Sequence, residues 1–514
     1  MAFKTSDLWR APVVNPVNRK ARSVPVLNIA DPHGRVFFFS WIGFMIAFWA
    51  WYTFPPLLTV TIRADLQLTS AQVANSNIVS LASTLLVRLI AGPLCDQLGP
   101  RMVFSLTLLL GSIPIGLAPL IKDATGLYIS RFFIGILGGS FVPCQVWCTG
   151  WFDRNVVGTA NALAGGWGNA GGGITYFIMP AVYDSLKHHF GLSSGEAWRI
   201  TFIVPLISLI ACGIGMLVFC DDTPMGKWAD RHQHVRQNLE SHGLVDVPNA
   251  VTDPVPTAPT TPSEKKTTSA HPRPLTSSSH TSIHGFDREA SISRSEAIST
   301  ARSETITSPT LSETLHITFS LHALFHGLTY ACSFGSELAI NSILAAYYLK
   351  NFPPPHLTQT TASNYAALFG FLNVVTRPLG GIIGDALYSG FGDSLWRKKI
   401  WIHVCGVLTG GLLILIGLLD PHDLPTMIGL VSLMAVFHEA GNGANFALLP
   451  HVYPWANGVL SGLTGAGGNL GGVVFAVVFR FMGDGTDYAR GLWVIGVCHV
   501  VVYLGLVWVP PVPR

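Results

Sequence analysis

The sequence predicts an all-α membrane protein with twelve transmembrane helices in two six-helix halves. Three observations support this prediction: few charged residues, twelve long apolar stretches, and motifs that recur in both halves. Of the 514 residues, 49% are hydrophobic and only 11% are charged, and the mean hydropathy is +0.44. Since a soluble globular protein carries about 25% charged residues, this composition argues against a soluble enzyme, a nucleic-acid-binding protein and a fibrous protein. The expected surroundings are a lipid bilayer.

Neither the net charge nor the cysteines indicate an acidic partner, a disulfide framework or a metal site. A net charge of +3 is too small to indicate nucleic acid or another acidic partner. The eight cysteines lie in or beside apolar segments without a close C-x-x-C pair, so we expect buried thiols and neither a disulfide framework nor a metal site. We find no cofactor or nucleophile motif. We therefore expect no cofactor, and an enzyme is the least favoured function.

Twelve stretches approach the roughly 20 apolar residues that a spanning helix needs. Six precede a long polar segment and six follow it. Before the first stretch, six basic residues outweigh two acidic ones, which predicts a cytoplasmic N-terminus. The stretches lie near 36–60, 72–91, 103–121, 127–149, 157–182, 199–220, 318–349, 362–383, 400–419, 426–447, 457–481 and 490–510.

The polar segment divides the chain into four parts. Residues 1–35 form a cytoplasmic tail, 36–220 an N-terminal six-helix bundle, 221–315 a central loop, and 316–514 a C-terminal six-helix bundle with a short tail. Between 251 and 310, 31 of 60 residues are Ser, Thr or Pro, which predicts a disordered loop. Because six spans separate the N-terminus from the loop, and six more separate the loop from the C-terminus, we expect all three in the cytoplasm.

Polar residues recur at equivalent positions of the two halves. Arg88 stands eight residues before Asp96, at the end of the second span, and Arg377 stands eight residues before Asp385, at the end of the eighth. Glycine-rich motifs surround residues 169 and 469, which are both Asn and lie 300 positions apart. Such a duplication predicts two bundles related by a pseudo-two-fold axis along the membrane normal, with substrate bound between them at the midplane.

The two arginines indicate an anion site. Eight residues at 1.5 Å each place Arg88 and Arg377 about 12 Å from the inner end of their helices, close to the middle of a hydrocarbon core of about 30 Å. An arginine there cannot lose its proton, and two facing guanidiniums repel each other unless an anion lies between them. Alternatively, each pairs with a structural carboxylate, of which Glu337 and Glu439 are the clearest.

Amide and aromatic side chains complete the candidate site. The glycines beside Asn169 and Asn469 allow close helix packing, and each amide has donors that suit an oxyanion. Tyr330 and Phe334 lie four residues apart on one helix face, and Phe141 lies in the fourth span. Aromatic faces suit a flat, poorly hydrated ligand, although such residues most often serve only packing.

The segment Gly92–Arg101 fits the pattern G-x-L-x-D-x-x-G-x-R in the loop after the second span. This pattern resembles the signature of the major facilitator superfamily. We expect Asp96 and Arg101 to cap helix ends and to pair across an inner gate, and Asp385 marks a partial second copy. A tight turn flanked by solvated charges is the alternative.

The motifs Ala164–Gly171 and Gly465–Gly472 resemble the paired nitrate signatures of the nitrate/nitrite porter family, a branch of that superfamily. Tyr330–Glu337 and Glu439–Phe446 are similar to further family segments, and the long central loop resembles that of high-affinity nitrate transporters of filamentous fungi. The second motif has Gly467 at the position of Trp167 in the first, so the two motifs differ in side-chain bulk.

The resemblance implies that nitrate binds between Arg88 and Arg377, with Asn169 and an aromatic wall of Phe141, Tyr330 and Phe334 around it. It implies a plasma-membrane carrier that works by alternating access, with nitrate as substrate and nitrite as a candidate second substrate. Because the cell interior is negative, moving one charge across 100 mV is worth about 2.3 kcal/mol, so nitrate import needs co-transported protons. Nitrate/nitrite exchange and a nitrate-sensing receptor remain the alternatives.

Proton coupling needs a group that titrates. Glu337 and Glu439 lie in apolar spans, and His438 is a second type of candidate. Each glutamate could instead simply hydrogen-bond to a neighbouring helix. The Ser/Thr-rich central loop carries basic residues near hydroxyls, which predicts a regulatory kinase or partner protein there, unless the loop is only a tether.

Overall fold

The computed structural model describes most of the chain as α-helix and, apart from isolated bridges, assigns no β-strand within the described residues. The described residues are 5–153, 156–230, 237–238, 289–291, 300, 310–389, 394–453 and 456–513. Twelve spanning segments follow one another in two sets of six, as the sequence predicts. Their helices are Pro32–Trp51 with its continuation to Asp65, Ser70–Leu98, Pro100–Leu117, Ala124–Ile134 with Phe141–Trp151, Val157–Asn169 with Gly171–His188, Ser194–Thr201 with Ile203–Phe219, Leu321–Tyr330 with Ser336–Asn351, Gln359–Ser389, Leu395–Leu419, Leu424–Leu448, Asn457–Phe481 and Tyr488–Gly505.

Ten of these segments are long and apolar enough to cross a membrane by length and composition, within the part of the chain that the structure describes. The other two, the fifth and the seventh spans, contain local breaks. The fifth is interrupted at Ala170, and the seventh contains the π-helical turn Ala331–Gly335. Both breaks fall in the middle of the protein, where polar and small residues replace apolar ones.

Side-chain caps begin several spans. Asp31 accepts a hydrogen bond from the His33 backbone N–H at 3.0 Å, and Thr69 forms a reciprocal capping box with Gln72. Asp423 caps the tenth span in the same way. Such caps satisfy backbone N–H groups that have no partner within the helix, so these loop residues set where the spans begin.

Small residues allow the two halves to approach closely. The second span packs against the eleventh, and the fifth packs against the eighth. At the fifth–eighth contact, a Cβ added to Gly370 would lie 2.3 Å from the backbone nitrogen of Gly173. Glycine is therefore required at this crossing, and the halves meet over long helix faces.

We call the side where the first and last helices meet the chain termini the terminal end, and the opposite side the far end. At the far end, hydrogen bonds join the two halves directly. They are Tyr52 Oη to Leu338 O (3.1 Å), Thr61 Oγ1 to Gln359 Oε1 (2.8 Å), Gln359 Nε2 to Pro56 O (2.9 Å), Thr360 Oγ1 to Asp184 Oδ2 (2.5 Å) and Arg480 Nε to Asn75 Oδ1 (3.1 Å). These contacts close the interface at the far end.

The N-terminal segment, expected to be a simple tail, is folded against the terminal end. The Ala21 backbone N–H donates to Trp151 O at 2.9 Å, and the Asp153 N–H donates to Ala21 O at 2.8 Å. Arg19 forms an ion pair with Glu289 of the central loop. The expected loop, 221–315, lies mostly outside the described residues, and its last part already belongs to the helix Leu311–Thr318.

Candidate functional site

Arg88 of the second span is 5% exposed and lies against the fourth span. Its Nε donates to the Gly138 carbonyl oxygen at 2.9 Å. Gly138 belongs to the 3₁₀ turn Gly135–Ser140, and a Cβ there would lie 2.4 Å from the Thr84 side chain. The glycine thus lets the fourth span come close enough for its carbonyl to orient the guanidinium.

Arg377 of the eighth span is 4% exposed and is oriented by a side chain instead. Its Nη2 donates to the Tyr330 hydroxyl at 2.8 Å. Tyr330 precedes the π-helical turn of the seventh span, and its ring stacks on Phe334 with centroids 5.0 Å apart and planes 9° apart. Turns of this kind are frequent at functional sites.

The two arginines, one from each half, share the same two aromatic rings. The Arg88 guanidinium carbon lies 5.3 Å from the Phe141 centroid and 5.2 Å from the Phe334 centroid. The corresponding distances for Arg377 are 6.0 and 5.6 Å. The structure therefore brings together the residue pair and the aromatic wall that the sequence predicts, within cation–π range.

No described carboxylate pairs with either arginine. Both Nη atoms of Arg88 and Nη1 of Arg377 are buried without a hydrogen-bond partner among the described residues. Glu337 accepts from amides of neighbouring spans, at 2.6 and 2.8 Å, and Glu439 accepts from a hydroxyl of the eighth span at 2.5 Å. The pairing of the arginines with structural carboxylates is thus not the arrangement in the fold. Neither guanidinium therefore has a direct carboxylate partner among the described residues, which leaves donors available to an anionic ligand.

Each guanidinium faces a glycine of the opposite half. A Cβ added to Gly165 would lie 3.9 Å from Arg377 Nε, and one added to Gly465 would lie 3.9 Å from Arg88 Nη1. These glycines occupy equivalent positions, 300 residues apart, in the two repeated motifs. Any larger side chain at either position would extend into the space beside the guanidinium, so the motifs keep that space free.

The two repeated asparagines differ in their hydrogen bonds. Both polar atoms of the Asn169 amide are buried without a partner among the described residues. Asn169 lies one helical turn beyond Gly165, on the same helix face. In contrast, Asn469 Nδ2 donates to the Gly465 carbonyl of its own helix at 3.2 Å. The amide of Asn169 is therefore the better placed of the two to receive a ligand.

The expected gate residues lie at the terminal end and bind within their own half. Arg101 Nη1 donates to the Cys220 carbonyl at 2.5 Å, and its Nε lies 3.4 Å from Asp222 Oδ1. Asp385 lies 2.6 Å from the Lys398 ammonium nitrogen. The side chain of Asp96 lies outside the described residues. Pairing across a gate remains a prediction for these residues.

The candidate proton carriers lie in a buried polar region of the C-terminal half. His438 Nε2 lies 2.5 Å from the Ser333 carbonyl oxygen, so this nitrogen carries a proton and donates it. Glu439 Oε2 accepts from Thr376, the residue next to Arg377, whereas Glu439 Oε1 has no partner among the described residues. Glu439 is thus bound to the residue that precedes Arg377 in the chain.

Two residues with bearing on function were not predicted from the sequence: Phe446 lies at the central site, and Arg131 lies at the far end. Phe446 packs edge-on against Tyr330 and Phe141, with centroid distances of 5.2 and 5.9 Å, and closes the aromatic wall. Arg131 of the fourth span is 4% exposed and bonds to Asn77 at 2.6 Å. A lone arginine inside an apolar stretch was the available signal for the latter.

Comparisons with known proteins agree with this architecture. A sequence profile described as Major Facilitator Superfamily matches residues 40–295. Elsinochrome transporter 1 of Elsinoe fawcettii is 33% identical over 99% of both chains. High affinity nitrate transporter 2.5 of Arabidopsis thaliana is 30% identical over 94% of this chain and 81% of its own.

The chain belongs to the major facilitator superfamily. Nitrate/nitrite transporter NrtP of Nostoc punctiforme is a further relative, 29% identical over 87% of this chain and 86% of its own, so the family resemblance drawn from the repeated motifs is confirmed. An inward-facing, occupied bacterial homolog of the human lysosomal transporter Spinster shares the fold, with a TM-score of 0.58, 13% identity, and coverage of 93% and 95%. As a superfamily member with transporters among its relatives, the chain is a multi-pass membrane transporter rather than an enzyme.

Proposed function

We propose that the protein imports nitrate across the plasma membrane, with the anion held between Arg88 and Arg377. The observation that carries this proposal is the pair of buried guanidiniums on shared aromatic rings, with three Nη atoms that have no hydrogen-bond partner among the described residues. Planar oxyanions match the planar fork of arginine, and weakly hydrated ones tolerate aromatic faces. The relatives named as nitrate transporters support the same choice of substrate.

Size favours a small ion over a large organic cargo. Gly165 and Gly465 leave only ordinary contact distances beside the guanidiniums, and Phe141, Phe334 and Phe446 pack around them. A bulky organic molecule would require these rings to move apart.

Transport by alternating access fits the distribution of contacts between the halves. The far end is held closed by hydrogen bonds between the halves, from Tyr52 to Leu338 and from Thr61 to Gln359 among others. In the proposed orientation the terminal end is cytoplasmic. Arg88 and Arg377 are only 5% and 4% exposed, so this arrangement encloses the arginines. Breaking the far-end bonds would expose them to the outside, and separating the halves at the terminal end would expose them to the cytoplasm.

Glu439 is the proposed carrier of a coupling proton. Glu337 accepts amide hydrogen bonds on both carboxylate oxygens, from Asn373 and Asn442, so a proton on either oxygen would compete with a bond already made there. Glu439 accepts one bond on one oxygen, and its other oxygen has no described partner. Its hydrogen bond to Thr376, the residue before Arg377, supports this choice.

Purified protein in proteoliposomes tests the transport proposal. With an acidic exterior and a negative interior, we expect nitrate accumulation that depends on both gradients and is abolished by Arg377→Gln. Uptake that requires internal nitrite and ignores the pH gradient would establish exchange instead. Saturable nitrate binding without any uptake would indicate a sensor, and the absence of both would refute the proposed substrate.

Two glutamine variants test the proton carrier. Glu439→Gln should retain nitrate exchange between equal pools but lose accumulation driven by the pH gradient, because the shape is kept and titration is removed. Glu337→Gln is the matched control and should retain pH-driven accumulation. If the two variants behave in the opposite way, Glu337 carries the proton, and if both still accumulate nitrate, neither does.

The central loop is proposed to serve regulation rather than transport. Its described residue Glu289 is held by Arg19, and Ala290 N–H donates to the Val14 carbonyl at 2.9 Å. A kinase acting nearby would add about −1.5 to −2 charges per site beside this contact. A shortened-loop variant delivered to the membrane should transport nitrate normally and lose down-regulation; loss of transport itself would refute the proposal.

A further inference from the structure

A larger cavity lies between the two halves at the far end, away from the Arg88–Arg377 pair. Its volume is about 250 Å³. The π-helical turn Leu58–Ile62 of the first span contributes to its wall, together with parts of the second, seventh and eleventh spans. Arg63 and Lys350 both line it, and no acidic residue is found among the described residues of its lining. The cavity is therefore electropositive.

A third cation lies behind one wall of this cavity. Buried Arg131 donates from Nη1 to Asn77 Oδ1 at 2.6 Å and to Ser76 Oγ at 3.3 Å, and Asn77 lines the cavity. Arg131 forms no ion pair with an acidic residue in the described part of the chain. Since arginine keeps its charge and neutral amides or hydroxyls do not cancel it, this charge adds to those of Arg63 and Lys350.

Acidic residues at the same end are already engaged by other donors. Asp65 lies 2.7 Å from Arg199 Nη1. Asp420 accepts from Asn351 at 2.7 Å, and Asp487 caps the twelfth span by accepting from a backbone N–H at 3.1 Å. None of the three lines the cavity, and Arg63 and Lys350 are the only charged side chains of its described lining.

We propose that this cavity is a second anion site, which holds a small oxyanion at the far end before the gate opens to the central arginines. The direction of travel, from the far end inwards, rests on the proposed import of nitrate. A volume of about 250 Å³ is many times the roughly 10–15 Å³ that a cavity needs to hold one water, so it has room for a nitrate with part of its hydration shell. A positively lined cleft raises the local anion concentration and the association rate.

The π-helical turn supports a functional role for the wall. Such turns recur at functional sites, and the structure has one beside each anion site: Ala331–Gly335 at the central arginines and Leu58–Ile62 at the far-end cavity. Arg63 directly follows the second of these turns. The local geometry of the first span thus sets the position of one cation of the cavity.

The first test removes the two positive charges of the cavity lining. Arg63→Gln combined with Lys350→Gln should raise the apparent half-saturation for nitrate about three- to tenfold at low ionic strength, with a smaller change in maximal rate and less effect at high salt. Lys122→Gln and Lys187→Gln are matched controls, because both are exposed far-end lysines outside the cavity lining. If the controls raise the half-saturation equally, only the general surface potential matters and the site is refuted.

The second test detects occupancy directly. Ala74, in the cavity wall, is replaced by Cys in a Cys498→Ser background, where the remaining native cysteines are buried. We expect a negatively charged methanethiosulfonate reagent to label Cys at this position, and nitrate to slow labelling even when the central site is disabled by Arg377→Gln. Protection that disappears with Arg377→Gln, or no protection at all, would overturn the second site. Because labelling does not require transport, this result is separate from a failure of nitrate uptake.

Discussion

Replacing Arg88 with Lys tests whether the central site acts through the shape of the guanidinium and not only through its charge. Arg88 is anchored by Nε at the Gly138 carbonyl and keeps both Nη atoms free for an anion. A lysine ammonium cannot keep that anchor and also present a planar two-donor fork. The loss of one charge-assisted hydrogen bond costs about 1.5–3 kcal/mol. With a factor of ten for each 1.4 kcal/mol, we expect the half-saturation constant to rise about 10- to 150-fold.

The assay is nitrate-evoked current in voltage-clamped cells at fixed external pH, with surface expression measured in parallel. Arg10→Lys, at an exposed position of the N-terminal segment, is the control and should match the wild type. Selectivity should also change, because a point charge discriminates less between planar and spherical anions than a fork does. A half-saturation within twofold of wild type, with unchanged preference for nitrate over chloride, would refute the planar clamp.

Three further changes probe the supports of this site and the terminal end. Tyr330→Phe removes the hydroxyl that accepts from Arg377 at 2.8 Å. The half-saturation constant for nitrate should rise several-fold without loss of thermal stability. An unchanged half-saturation constant would show that the hydroxyl does not orient the guanidinium. Gly138→Ala places a Cβ 2.4 Å from a side chain of the second span. Because overpacking of this kind costs about 1–3 kcal/mol, the melting temperature of the purified protein should fall. An unaltered melting curve would contradict this tight contact. Arg19→Ala and Glu289→Ala, measured singly and together, should show a coupling below about 1 kcal/mol because the arginine is half exposed; a larger coupling would mean that the loop contact contributes substantially to stability.

The sequence by itself determined the class of protein and the depth of the site. Charge content and apolar length are local properties, so the twelve spans were predictable from composition and hydropathy. The repeat spacing placed Arg88 and Arg377 at matching depths, because helical rise converts residue counts into distance. The repeated glycine motifs were also visible, and with the resemblance they carry, they indicated the family that the comparisons confirm.

Only the tertiary structure decided which groups meet. Hydropathy predicts the depth of a residue in the membrane. The identity of its neighbours depends on helix packing between residues far apart in the chain. For that reason the Tyr330–Arg377 bond, the carbonyl of Gly138 and the closing ring of Phe446 were not predictable from spacing. The alternative that each arginine pairs with Glu337 or Glu439 was equally open from sequence. It is set aside because amides and a hydroxyl from neighbouring spans already bind those carboxylates, while the guanidiniums of opposite halves face one pair of rings.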